Sequence, residues 1–265
     1  QKEMEVDSFN PAEYCTRPEE QHLNLDSRLA QVVIGVRRCG KSTLCMNVLK
    51  KSGLPFAYVN FDDERLVKLK GDDLNDILTA LYKVYGRFKI LFIDEMQNIP
   101  EWFLFANRLL RQKMRLVITG SNAKLLSGEL ATHLTGRYME TRLYPFSFME
   151  YCVCRGVKTS LPASTIDTAE RMSAFDSYLK NGGCPEVLNE PDTVGYVSSL
   201  VESIVHRDIC SRHRIRNAQS LSELANHVLN IAPAKATISG FSRLFSIASD
   251  HTTRNYLDYL EKAFL

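Results

Sequence analysis

No apolar run in this 265-residue chain approaches the roughly 18 residues that a membrane helix needs. The N-terminus is polar and lacks the basic-then-apolar pattern of a secretory signal. Membrane insertion is therefore not expected. Strong charge of one sign is also missing: the net charge is +2, which argues against a wholesale binder of nucleic acid or membrane surface and leaves room only for a local basic patch. Seven cysteines form no C-x-x-C pair and no Cys/His cluster with zinc spacing, and their odd number does not make a disulfide framework. The nearest two, Cys152 and Cys154, would point to opposite faces of a strand, so free thiols in a reducing, cytoplasmic setting are the expectation. Repeats and low-complexity tracts are lacking as well. What remains, 45% hydrophobic and 24% charged residues, is ordinary for a globular protein with one large or two modest domains. The first residue is Gln, which reads as a processed or internal start.

The most informative stretch is Val32 to Leu44, VVIGVRRCGKSTL. Gly35, four residues, then Gly40, Lys41 and Ser42 make the G-x-x-x-x-G-K-[ST] pattern of a phosphate-cradling loop. An apolar strand precedes it and helical spacing follows, which is the context the pattern requires. Glycines let the backbone turn its N–H groups toward an anion, and the next helix presents its positive N-terminal end. Lys41 would reach the terminal phosphates and the Ser42 hydroxyl would hold magnesium. The candidate nucleotide site is the whole loop, Gly35, Val36, Arg37, Arg38, Cys39, Gly40, Lys41, Ser42 and Thr43.

Further strands are expected at 55–61, 89–94, 115–120 and 138–143. Helices are expected between them at 42–49, 74–85, 102–114 and 123–133. Alternation of this kind argues a parallel, doubly wound α/β sheet. Past Pro145 the patterns become mostly helical. The expected divisions are an N-terminal approach segment over 1–28, a core over 29–150, a helical lid over 151–217 and a C-terminal helical module over 218–265.

KILFIDE, residues 89–95, places Asp94 and Glu95 where a buried strand runs out. Ligands gather at the carboxyl ends of parallel strands, so both acids should face the crevice of the phosphate loop. Asp94 suits the magnesium touched by Ser42, and Glu95 suits polarising an attacking water. Two acids opening a surface turn would look the same in isolation. At the end of the fourth strand, Ser121 or Asn122 is a candidate γ-phosphate sensor, although Ser and Asn after Gly are also common turn residues.

Taken in order, GVRRCGKSTL, LFIDEMQNIPEW, ITGSNAKLLS, LTGRYMETRLYPFSFMEY and GGCPEVL resemble prokaryotic ATPases of the AAA superfamily. In those chains a P-loop domain is joined to a C-terminal region with a winged helix and, usually, a nuclease-like domain. The resemblance covers residue 25 or so to the end. It implies a five-stranded parallel P-loop NTPase sheet of order 5-1-4-3-2, with ATP and Mg as ligands. By matching motifs it makes Lys41, Ser42 and Thr43 nucleotide contacts, Asp94 and Glu95 the magnesium and water pair, and Ser121 or Asn122 the sensor. Arg137 matches an arginine finger, which implies a homo-oligomer with Arg137 acting in trans. Periodicity alone gives Arg137 no special status.

In the C-terminal region, RDICSRHRIR concentrates Arg207, Arg212, Arg214 and Arg216 and would suit DNA phosphates or a subunit boundary; it would equally suit a solvated helix end. Thr252 to Phe264 resembles a recognition helix, which leaves DNA contact through 207–216 and 251–263 as an open alternative. Its outward face, with Asp258 and Glu261, is not basic, and a packing role competes. The wing strands and the nuclease-like part would come after Leu265, so the module reads as truncated. An Mg-dependent ATP hydrolase is the leading reading. The alternatives are a nucleotide-dependent switch or DNA-binding regulator with little hydrolysis, and, more remotely, a small-molecule kinase.

Overall fold

The computed structural model describes residues 1–66, 68–121, 131–231 and 235–265. The apolar runs become the interior of a sheet. In β1 (Ala30–Ile34) and β3 (Ile90–Asp94) every position is buried, and in β4 (Arg115–Gly120) all but the first. Strands covered on both faces belong in the middle of a parallel sheet. The outer strands, β2 (Phe56–Asn60) and β5 (Tyr138–Arg142), mix buried with more exposed positions. Read from the β5 edge, the five described strands run β5-β1-β4-β3-β2, all parallel, which is the expected order. The register pairs Ile34 with Gly120 and Arg142, and Asn60 with Asp94. The loops that follow β1, β3 and β4 therefore leave from one edge of the sheet.

Around the sheet lie α1 (Lys41–Ser52), α2 (Leu74–Tyr85), α3 (Trp102–Arg111) and the single turn α4 (Ala131–His133). Most of the helix expected over 123–133 falls outside the described residues. Next come α5 (Phe148–Cys154) and α6 (Thr165–Asn181), each opened by a reciprocal cap, Ser147 with Glu150 and Ser164 with Asp167.

The approach segment is fastened down by one buried residue. Arg17 donates from Nε to Glu150 at 2.7 Å, from Nη1 to the Cys39 carbonyl at 3.1 Å and from Nη2 to the Tyr144 carbonyl at 3.0 Å, with its guanidinium 4.9 Å from the centre of the Phe146 ring. Glu20 accepts from Asn47 and Lys51 of α1, each at 2.9 Å. The same fold-back joins Cys15 to Cys154, Cα atoms 5.6 Å apart across a sequence separation of 139, which overturns the expectation of free thiols throughout. Linear spacing hid the pair, because only the return of the N-terminal segment to α5 brings the two together. Cys39, Cys45, Cys152, Cys184 and Cys210 are free. The cysteines therefore give no argument for a reducing compartment.

Two compact units are present, Gln1–Glu186 and Val187–Leu265. Their division falls inside the stretch expected as a lid, since α5 packs on α6 and is tied through Glu150 to Arg17. In the second unit α7 (Thr193–Ser203) widens into a π-helical stretch at Ile204–Cys210 and ends in α8 (Ser211–His213); α9 (Ala218–Ile231), α10 (Ile238–Leu244) and α11 (Asp250–Lys262) follow. Leu200, Ile204, Ile209, Leu221, Leu224, Tyr256 and Leu260 form its apolar core. Among the described residues no helix is long and apolar enough to cross a membrane.

Candidate functional site

The loop after β1 is shaped by two glycines. A Cβ at Gly35 would lie 2.0 Å from the Leu143 carbonyl oxygen, so no other residue fits that close approach. Gly40 has φ +93° and starts α1 from a left-handed conformation. Between them Cys39 is sealed in, its thiol 3.3 Å from the same Leu143 oxygen and its pKa raised by burial. Arg37 lies 3.6 Å from Asp62, and Arg38 lies 2.5 Å from Glu186 in a pair about half exposed on both sides. Lys41 is buried and folds back on the loop, donating to the carbonyls of Gly35 at 3.1 Å and Val36 at 3.0 Å, with Glu95 Oε1 3.8 Å away.

β3 delivers the two acids to this loop. Asp94 accepts from the Ser42 hydroxyl at 2.9 Å and from the Thr119 hydroxyl, and its other oxygen is 3.2 Å from the Tyr58 hydroxyl. Burial, reinforced by the neighbouring Glu95, pushes the Asp94 pKa up to about 6, against the pull of Thr119, Ser42 and Lys41. Tyr58 also lies 2.6 Å from Glu5 of the approach segment. Burial first, then the charges of Asp94 and Glu5, hold its phenol far above the ordinary range. Ser42 Oγ and the Asp94 carboxylate are hard oxygen donors on one small patch. This donor set suits a magnesium ion, which keeps most of its ligands as water or phosphate oxygen.

Glu95 adopts φ +50°, a left-handed backbone uncommon for a side chain larger than Asn. Its N–H donates to Thr119 Oγ1 at 3.0 Å, and its Oε2 accepts from the Gln97 amide. That amide also donates to Ser121 Oγ at 3.0 Å. Loop, β3 tip and β4 tip thus converge, and Lys41, Ser42, Asp94, Glu95 and Ser121 come together as the sequence predicts. Asn122 lies outside the described residues.

Arg137 is elsewhere. It is exposed and immediately precedes β5, its carbonyl accepting from the Ala30 N–H at 2.9 Å at the start of β1. The five residues of β1, about 16 Å of extended chain, separate that edge from Gly35. Arg137 cannot reach the loop of its own chain.

A family model described as an AAA domain matches residues 27–152, from just before β1 through most of α5. That stretch, just under half of the chain, is similar to an AAA domain. A second family model, a domain of unknown function, matches residues 172–265. An uncharacterized protein of Methanocaldococcus jannaschii is 32% identical over 243 residues, covering 89% of this chain and 55% of its own length. One from Haemophilus influenzae is 35% identical over 259 residues, covering 91% and 62%. The chain thus spans less than two thirds of either relative. The Walker-type ATPase of Pyrococcus abyssi shares the fold, with a TM-score of 0.55 at 14% identity over 94% of this chain and 90% of that one. The AAA-domain match and the shared fold together give the first unit the architecture of a P-loop ATPase.

Sequence reasoning missed Thr119, Tyr58, Gln97 and Arg17. Gln97 stands two residues after Glu95 and Thr119 two before Ser121, so position within the AAA motifs was a usable signal for both. Tyr58 and Arg17 depend on cross-strand register and on the fold-back of the N-terminal segment, for which the sequence offers no local sign.

Proposed function

We propose that the chain binds ATP with Mg at Gly35–Thr43 and Asp94 and hydrolyses it. The observation that carries this reading is Glu95: on a left-handed backbone whose N–H donates to Thr119, its carboxylate accepts from Gln97 at Oε2 and turns Oε1 toward Lys41 across 3.8 Å. A site that only bound nucleotide would have no use for such a group.

Backbone N–H groups of the loop and the N-terminus of α1 would cradle the phosphates. Lys41, released from the Gly35 and Val36 carbonyls, would turn to the terminal phosphates. Ser42 and Asp94 would hold Mg, which when bound neutralises charge on the phosphate oxygens. Glu95 aligns a water with the γ-phosphorus. The water oxygen bonds to phosphorus as the bond to the bridging oxygen breaks, and the diphosphate leaves with that electron pair. One water proton stays on the released phosphate and the other goes to solvent. Ser121, which accepts from the Gln97 amide just past β4, would register the γ-phosphate.

Arg137 is exposed beside the start of β1, away from the phosphate loop of its own chain. On this reading it is an arginine finger offered to a neighbouring copy, and the active species is an oligomer. Phosphate release from wild type, Lys41→Ala and Glu95→Gln, with and without duplex DNA, tests the hydrolase. Glu95→Gln should retain ATP binding and lose turnover by about 10²- to 10⁴-fold; turnover equal to wild type would remove Glu95 from the mechanism. DNA contact through 207–216 and 251–263 enters as the DNA arm: stimulation that fades with salt would support it.

A further inference from the structure

Gln97 lies on the short turn Met96–Asn98 that follows Glu95. The turn is anchored at both ends and across its middle. Met96 and Ile99 are buried to within 2% of full, and Asn98 donates to the Phe61 carbonyl at 3.1 Å. From this fixed base the Gln97 amide nitrogen spends one hydrogen on Glu95 Oε2 and the other on Ser121 Oγ. The opposite amide orientation would face a carbonyl oxygen against a carboxylate, so the chemistry of the pair sets which way the amide points. We propose that Gln97 is a positioning residue for Glu95: it pins one carboxylate oxygen, leaves the other aimed toward Lys41 and the phosphate cradle, and ties that aim to Ser121 at the β4 tip.

The two oxygens of Glu95 are not equivalent in this arrangement. Oε2 belongs to Gln97, whereas Oε1 is the atom 3.8 Å from Lys41. A carboxylate on an otherwise free side chain would rotate and present either oxygen, and a water held by it would lose its line to phosphorus. Because the same amide grips Ser121, a displacement of the β4 tip when γ-phosphate binds or leaves is passed to the water-orienting group through two hydrogen bonds. Gln97 touches neither phosphate nor metal ligand in this scheme and acts only through Glu95.

The inference rests on the hydrolase reading, and the test separates the two. Steady-state ATP hydrolysis and ATP binding are measured for wild type, Gln97→Ala, Gln97→Glu, Glu95→Gln and the double variant Gln97→Ala/Glu95→Gln. Expected results are a fall in kcat of about ten- to a hundredfold in Gln97→Ala, with KM and nucleotide Kd within about threefold of wild type. Gln97→Glu, close in size but repelling Glu95, should lose at least as much. The double variant should be no slower than Glu95→Gln alone, since the effect passes through Glu95. Wild-type kcat in both Gln97 variants, a loss carried by Kd, or losses that multiply in the double variant would overturn the proposal while Glu95→Gln remained inactive. If Glu95→Gln itself turned over at the wild-type rate, the hydrolase reading would fall, and the proposal with it.

Discussion

The two edges of the sheet differ in how much of the chemistry they hold. At the carboxyl edge five elements meet within hydrogen-bonding distance: the first turn of α1, the β3 tip, the turn after it, the β4 tip and, through Tyr58 and Glu5, the approach segment. Ser42, Asp94, Glu95, Gln97, Thr119 and Ser121 are joined there by hydrogen bonds. At the amino edge Arg137 stands exposed beside Ala30, about a strand's length from any phosphate its own chain would bind. A hydrolysis site needs positive charge on the transition state beyond a lysine and a magnesium ion. On the proposed reading one edge receives that charge and the other gives it, so that a second copy would bring the two together.

The largest expected effect breaks this comparison at the amino edge. Arg137→Ala should lower turnover by about 10³-fold or more while leaving ATP affinity within a few-fold, as read by phosphate release and a binding titration. A loss in affinity of the same size would make Arg137 a ligand contact instead. At the opposite edge, Arg17→Ala removes a buried cation from under the phosphate loop and leaves Glu150 and two carbonyls without their donor. Denaturant unfolding should show a loss of about 3–5 kcal/mol.

Asp94 sharpens the contrast through pH. Its folded-state pKa, about 6, lies above the ordinary aspartate value near ~4. The folded chain therefore holds the proton more tightly than the unfolded one. Its cost to stability is full above pH 6 and fades as pH falls toward the unfolded value. In nucleotide-free protein, Asp94→Asn should gain on the order of 2 kcal/mol at pH 8, and the gain should shrink steadily between pH 6 and pH 4 in urea melts. The smallest effect belongs to Arg38. Its pair with Glu186 is half exposed, so Arg38→Ala should change the unfolding free energy by less than about 1 kcal/mol.

The parts of the site carried by contiguous motifs are legible in the sequence itself. Gly35, Gly40, Lys41 and Ser42 announce themselves because a phosphate loop needs those residue types at that spacing, and Asp94 and Glu95 because a buried strand ends in acids. The strand order was legible only through resemblance. Groups that act across the sheet were not legible: Thr119 reaches Asp94 because β4 pairs with β3, and Tyr58 because Asn60 is in register with Asp94. Arg17 and the Cys15–Cys154 pair needed the return of the N-terminal segment, which no periodicity encodes. In the second unit the helical character of 218–265 and the helix over 252–264 were legible, and what they bind was not. On α11, Lys262 is paired with Asp258 and the Thr252 hydroxyl lies 3.0 Å from Ser249, so the outward face spends its polar groups locally.

The claim that one copy's carboxyl edge is completed by another's amino edge has a direct test. Lys41→Ala, unable to hold the phosphates, and Arg137→Ala, unable to give the finger, are mixed in equal amounts, and phosphate release is followed as total protein is raised. Each variant alone should be nearly inactive. The mixture should recover turnover that grows with concentration, because Lys41→Ala copies supply Arg137 to the intact loops of the others. A mixture as inactive as its two components at every concentration, or an Arg137→Ala protein that hydrolyses ATP at the wild-type rate by itself, would contradict the account.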